Sequence, residues 1–100
     1  MNQNMIKKLQ QMQKEMKEAQ EQLEKSIFYG QAGGQTVEVE FNGAKEMQSI
    51  NINREAFELP DDYDMLEDTI IAAVNDCMKK IDEETQETLG KYTQGMPGMF

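Results

Sequence analysis

The spacing of apolar residues in the first quarter of the chain constrains the fold most. Met5, Leu9, Met12, Met16, Ala19 and Leu23 follow one another at intervals of four, three, four, three and four. This is a heptad seam with Leu9, Met16 and Leu23 at a and Met5, Met12 and Ala19 at d. It predicts a helix over residues 5–25 whose apolar stripe is too narrow for one side of a globular core. Such a stripe suits contact with a single other helix, from the same chain or from a second copy. The charges are segregated along the helix: residues 1–14 carry Lys7, Lys8 and Lys14 and no acid, while residues 15–24 carry Glu15, Glu18, Glu21 and Glu24 against Lys17. The helix dipole prefers the opposite arrangement, so the lysines need a reason other than helix stability.

After Leu23 the pattern changes. Ser26-Ile27-Phe28-Tyr29 has the β-branched and aromatic bias of a short strand, and Gly30-Gln31-Ala32-Gly33-Gly34 reads as a turn. Residues 35–41 alternate with Val37, Val39 and Phe41 on one face, and Asn42-Gly43 is the preferred dipeptide of a type I′ hairpin. The returning strand is expected over residues 45–53 with Ile50 and Ile52 in phase; Met47 is out of phase, so it faces the other side or marks a bulge. Residues 54–62 connect, with Phe57 and Leu59 expected to tuck underneath. Acids at Asp61, Asp62, Asp64, Glu67 and Asp68 then mark a helix start. The second helix carries Leu66, Ile70, Ala73, Val74, Cys77 and Ile81 on a stripe broad enough to cover the sheet. Beyond Ile81 it is polar nearly all round, so it projects into solvent or leans on a partner, and residues 95–100 read as a flexible tail. The expectation is an α+β fold of order α-β-β-β-α in one domain over residues 1–94.

The 100 residues carry a net charge of −9 and no histidine. Residues 1–25 hold five lysines against four glutamates, net +1, so the other 75 carry −10. Without histidine there is no imidazole base or imidazole metal ligand. The single cysteine, Cys77, sits on the core stripe with no base partner, as a buried thiol in a reducing compartment would. The aspartates near residue 62 lack the spacing of a calcium loop, and the glycine turn leads into a strand, with no helix start to receive a phosphate. No metal, cofactor, small-molecule substrate or catalytic site is expected. No apolar run is long enough to span a membrane, and MNQNMIKK lacks the core of a secretory signal. Lys7, Lys8, Lys14 and Lys17 all face away from the seam. Helical pairs such as Lys14–Glu18, Lys17–Glu21 and Glu21–Lys25 account for the later lysines and leave Lys7 and Lys8 without acidic neighbours one turn away.

Taken together, the methionine- and lysine-rich opening helix, AGGQTVEVEFNGAKEMQSININRE, LPDDYDMLEDTIIAAVNDCMKKIDEETQE and the closing PGMF resemble the YbaB/EbfC family of nucleoid-associated proteins over nearly the whole chain. That resemblance implies a cytoplasmic, nucleoid-located homodimer with a joined antiparallel sheet and helices reaching out like tweezers. It would bind duplex DNA with low sequence specificity and act in nucleoid organisation and gene regulation. Carried over, the DNA contacts would be Lys7, Lys8, Lys14 and Lys17, with Lys79, Lys80 and Lys91 as further candidates. The dimer core would draw on Val37, Val39, Ile50, Ile52, Ile70 and Val74. The alternative is an acidic dimeric protein-interaction module that does not touch DNA.

Overall fold

A computed structural model describes residues 2–93; the expected tail over residues 95–100 lies outside them. Helix α1 spans Gln3–Lys25. Its N-cap is Asn2, whose side chain accepts the Met5 N–H at 2.8 Å. It ends where Ser26 turns extended and donates its own N–H to the Gln22 and Leu23 carbonyls. Three antiparallel strands follow, β1 (Ile27–Ala32), β2 (Val37–Asn42) and β3 (Met47–Ile52), ordered β1-β2-β3. A single 3-10 turn, Arg54–Ala56, leads to the long helix α2, Tyr63–Thr93. The order is the α-β-β-β-α that the sequence predicts.

The connections differ in detail. Strand β1 continues through Gly30 to Ala32, so the turn is residues 33–36, with positive φ at Gly33, Gly34 and Gln35. Asn42-Gly43 does not form a two-residue type I′ turn. The loop is longer, the positive φ falls on Lys45, and Asn42 closes it by accepting the Lys45 N–H on its carbonyl and the Glu46 N–H on its side chain. Gly43 serves closeness instead: a Cβ there would run into the Leu23 carbonyl at the end of α1. Met47 lies beside a bulge, pairing with Phe41 while Ser49 pairs with Glu40.

Helix α2 lies over β1 and β2 and leaves β3 uncovered. Val37, Val39 and Phe41 point from β2 into Ala73, Cys77 and Ile81, spaced one turn apart on α2, with Phe57 closing the end. Each fully buried Val or Ile in this set contributes about 1.5–3 kcal/mol. Phe57 tucks in as expected; Leu59, at the start of the chain reversal over residues 59–62, remains 50% exposed. The reversal is braced by Asp62, whose carboxylate accepts the Glu58 N–H at 2.8 Å rather than capping the helix.

The base of the heptad seam, at Ala19 and Leu23, finds its partner within the chain, while Met5 at its start is 52% exposed. Past Ile81, α2 leaves the sheet and packs antiparallel along α1, with Glu84 and Thr88 lining the same groove as Ala19, Gln22 and Leu23. Leu9, Met12, Met16 and Ala19 are half-buried on α1, and Thr85, Thr88, Leu89 and Tyr92 are half-buried on α2. The result is a two-helix arm standing off a small sheet domain, 69 Å long with a radius of gyration of 19.4 Å. A compact chain of this length would have about 13 Å.

Candidate nucleic-acid interface

The arm separates charge along its length. At its base, Glu15, Glu18, Glu21 and Glu24 of α1 run beside Asp82, Glu83, Glu84 and Glu87 of α2, all exposed. Toward the tip, Lys7, Lys8 and Lys14 are exposed with no acid before Glu15, and the first turn of α1 contains none. At 1.5 Å per residue, Lys7 stands about 12 Å from Glu15 and about 27 Å from the helix end at Lys25.

Lys7, Lys8, Lys14 and Lys17 take part in no ion pair among the described residues; the pairs there are Lys45–Asp82 at 2.9 Å and Lys80–Asp76 at 3.2 Å. The helical pairs expected for Lys14, Lys17 and Lys25 are thus not closed, as is common where solvent competes for exposed ends. The further candidates are distributed differently. Lys80 is engaged, donating to the Tyr29 carbonyl at 3.0 Å besides holding Asp76. Lys91 lies over the Tyr92 ring at 5.2 Å, on the α2 side of the arm. Lys79 is exposed on the sheet domain.

The residues expected at a dimer interface divide into two groups. Val37 and Val39 are 0% and 1% exposed, covered by the chain's own α2. Ile50 is exposed, and Ile52, Ile70 and Val74 are half-buried. Ile50 and Ile52 pair with Val39 and Val37, so they form an open apolar face on β3 that α2 does not cover. Further apolar surface on β3 and α2 comes from Met47, 44% exposed, Ile71, 57% exposed, and the half-buried Met78. Sequence reading missed these three. Met78 carried a signal, one turn beyond Val74 and two beyond Ile70, a second stripe beside Ala73-Cys77-Ile81.

Elsewhere the chemistry is quiet. The Cys77 thiol is buried, and burial pushes its pKa up. Among the described residues no group of three histidines, cysteines or carboxylates could hold a metal ion, and no helix is long and apolar enough to cross a membrane.

Comparison with known proteins agrees with this layout. The family model of the YbaB/EbfC DNA-binding family matches residues 1–96. A nucleoid-associated protein of Ligilactobacillus salivarius is 47% identical over 97 residues, covering 97% of this chain and 92% of the relative. One from Enterococcus faecalis is 49% identical over 96 residues, covering 96% and 91%. In three dimensions the chain is similar to the crystal structure of the uncharacterized protein HP0035 from Helicobacter pylori. The TM-score is 0.73 at 25% identity, covering 91% of this chain and 96% of that one. A basic-tipped helical arm on a three-stranded sheet, matched by sequence from end to end of the described fold, makes this chain a member of the YbaB/EbfC DNA-binding family.

Proposed function

We infer that the protein is a nucleoid-associated protein that binds duplex DNA as a homodimer with little sequence preference, its arm tips meeting the phosphates through Lys7, Lys8, Lys14 and Lys17. The observation that carries this reading is the tip itself. Its lysines are exposed and take part in no ion pair among the described residues. The positive end of the α1 dipole lies at the same place. Family membership and the names of the relatives support DNA as the ligand.

A net charge of −9 per chain opposes this only within reach of its field. At physiological salt the Debye length is about 8 Å, shorter than the roughly 12 Å from Lys7 to the nearest acid of its helix. At about 10 mM salt it grows to about 30 Å, and the acidic body repels DNA from the tip. The usual gain in affinity at low salt is therefore blunted. A homodimer is supported by the open apolar face and by the edge of β3. Asn53 donates its N–H to Thr36 across the β2–β3 ladder, so Ser49 and Asn51 face β2 and Ile50 and Ile52 turn their backbone groups outward.

The test is a duplex titration across salt with wild type, Lys7→Glu/Lys8→Glu, and Lys25→Glu/Lys45→Glu as a control of equal charge change. Tip reversal should weaken binding far more than the control and flatten the logarithmic salt slope by up to about 4 for the two arms. Equal losses in both variants would mean net charge alone matters. No retention of duplex at any salt would leave the acidic protein-interaction module as the reading.

A further inference from the structure

A three-stranded sheet has two edges, and this one treats them differently. On β1 the Tyr29 carbonyl and the Gln31 N–H point away from β2, where an incoming strand would bond them. Both are occupied by side chains of α2, from far along the chain. Lys80 Nζ donates to the Tyr29 carbonyl at 3.0 Å, and Asp76 Oδ2 accepts the Gln31 N–H at 3.1 Å. Lys80 and Asp76 are themselves paired at 3.2 Å. No other side-chain hydrogen bond recorded among the described residues joins segments so distant. Gly30, between the two bonded residues, makes the reach possible. It has no Cβ to meet the Ala73 carbonyl or the Cys77 Cβ, so α2 sits close enough for a short aspartate to wrap the strand edge. The outward groups of Ile50 and Ile52 on β3 have no such bracket.

The difference decides how assembly ends. A chain with one open edge joins a second copy about a two-fold axis and stops, because pairing consumes the edge. A chain with two open edges continues, β3 to β3 and β1 to β1, into a ribbon without end. We propose that the Asp76–Lys80 bracket seals β1 against strand addition and so terminates assembly of this protein at two copies. This rests on the reading of β3 as the dimer edge, and the experiment separates the two.

Light scattering or sedimentation over a wide concentration range would be run on wild type, Ile50→Lys, Asp76→Ala/Lys80→Ala and the triple combination, each checked for native helical content. Wild type should hold at the mass of two 11.5 kDa chains, and Ile50→Lys, which sets a charge on the open edge, should fall to one. The bracket variant should exceed two and keep growing with concentration. The triple variant should return to two, now joined through β1, which distinguishes strand addition from unspecific aggregation. A monomeric wild type, or a dimer untouched by Ile50→Lys, overturns the dimer reading and the proposal together. A β3 dimer whose bracket variant stays at two copies overturns the bracket alone. Should the double alanine variant not fold, Lys80→Met keeps the stem and frees only the Tyr29 carbonyl, and it should still exceed two copies. Amide exchange of the wild type gives an independent reading: Gln31 should be protected although it lies on an edge, and exchange there as fast as in an open loop refutes the seal.

Discussion

Replacing Gly30 by alanine tests the packing of α2 on the sheet, with other glycines of the same chain as controls. Gly30 lies in β1 and is not among the positive-φ glycines, so alanine brings no backbone strain there. It does bring a Cβ to 2.6 Å from the Cys77 Cβ and 2.8 Å from the Cys77 nitrogen, and closer still to the Ala73 carbonyl. Carbon atoms pack at about 3.5–4.0 Å, so α2 must lift by roughly 1 Å. Overpacking of this kind costs about 1–3 kcal/mol, reduced by about 0.4–1 kcal/mol from the stiffer unfolded chain. Gly34 meets nothing within 4 Å but has φ +64. There the backbone strain of about 1–3 kcal/mol outweighs the unfolded-state gain of about 0.4–1 kcal/mol, so alanine destabilises without any clash. Gly90, in the arm half of α2, also meets nothing within 4 Å and has no positive φ, so alanine should stabilise by about 0.5–1 kcal/mol. With a melting shift of about 4–8 °C per kcal/mol, Gly30→Ala should melt several degrees below wild type, up to about 20 °C. Gly34→Ala should also melt below wild type, through backbone strain alone, and Gly90→Ala should rise. Thermal and urea unfolding followed by circular dichroism, at one matched protein concentration, reads all three. A Gly30→Ala protein as stable as wild type would refute the close approach of α2 to β1.

Other substitutions probe single features. Phe57→Ala should cost about 3–5 kcal/mol and Leu59→Ala under about 0.5 kcal/mol, although both are large apolar residues of one connector; similar urea midpoints would contradict the burial of one and exposure of the other. The Asp76 carboxyl is held below its ordinary 3.8, first by the Gln31 N–H and then by Lys80. Since its folded pKa is lowered, its contribution is complete above 3.8 and is lost as pH falls through the folded value. Asp76→Asn should therefore flatten the stability profile below pH 3.8, and an unchanged acid limb would count against the bond. The Cys77 thiol should resist alkylation in the native protein and react at the rate of unfolding; rapid stoichiometric labelling without denaturant would place it at the surface. The exposed Lys45–Asp82 pair should show a coupling of about 0–1 kcal/mol in a double-mutant cycle, disappearing at high salt.

Much of this fold is legible in the sequence because its elements are one-sided. Val37, Val39 and Phe41 alternate cleanly since one face of β2 is wholly buried, and Ala73, Cys77 and Ile81 repeat at one turn since they cover that face. What escapes depends on contacts between distant segments. Gly43 looks like a turn glycine, yet it stands where the Leu23 carbonyl passes, a contact that no local pattern marks. The partner of the heptad seam was hidden because Thr85, Thr88 and Tyr92, half-buried on the facing side of α2, are too polar to read as a stripe. Lys80 looks as available as Lys7, but its bonds run to β1, 51 residues away. The lysines at the arm tip were legible as a charge pattern against the dipole; the phosphate role came from the resemblance, because a solvated lysine face has the same pattern.

One helix, α2, belongs both to the sheet domain and to the arm, and it passes from one to the other at Ile81 without a break. Its inner half can open only when the whole domain unfolds, because Ala73, Cys77 and Ile81 are fully enclosed. Its outer half is held mainly by half-buried threonines, Leu89 and Tyr92 against methionines, and needs far less to open. Amide exchange along this single element should therefore form a gradient, slowest around Cys77 and faster turn by turn toward Thr93. The arm would then fray from its outer end inward while the domain stays folded, so on the proposed reading DNA would meet the most easily opened part of the molecule.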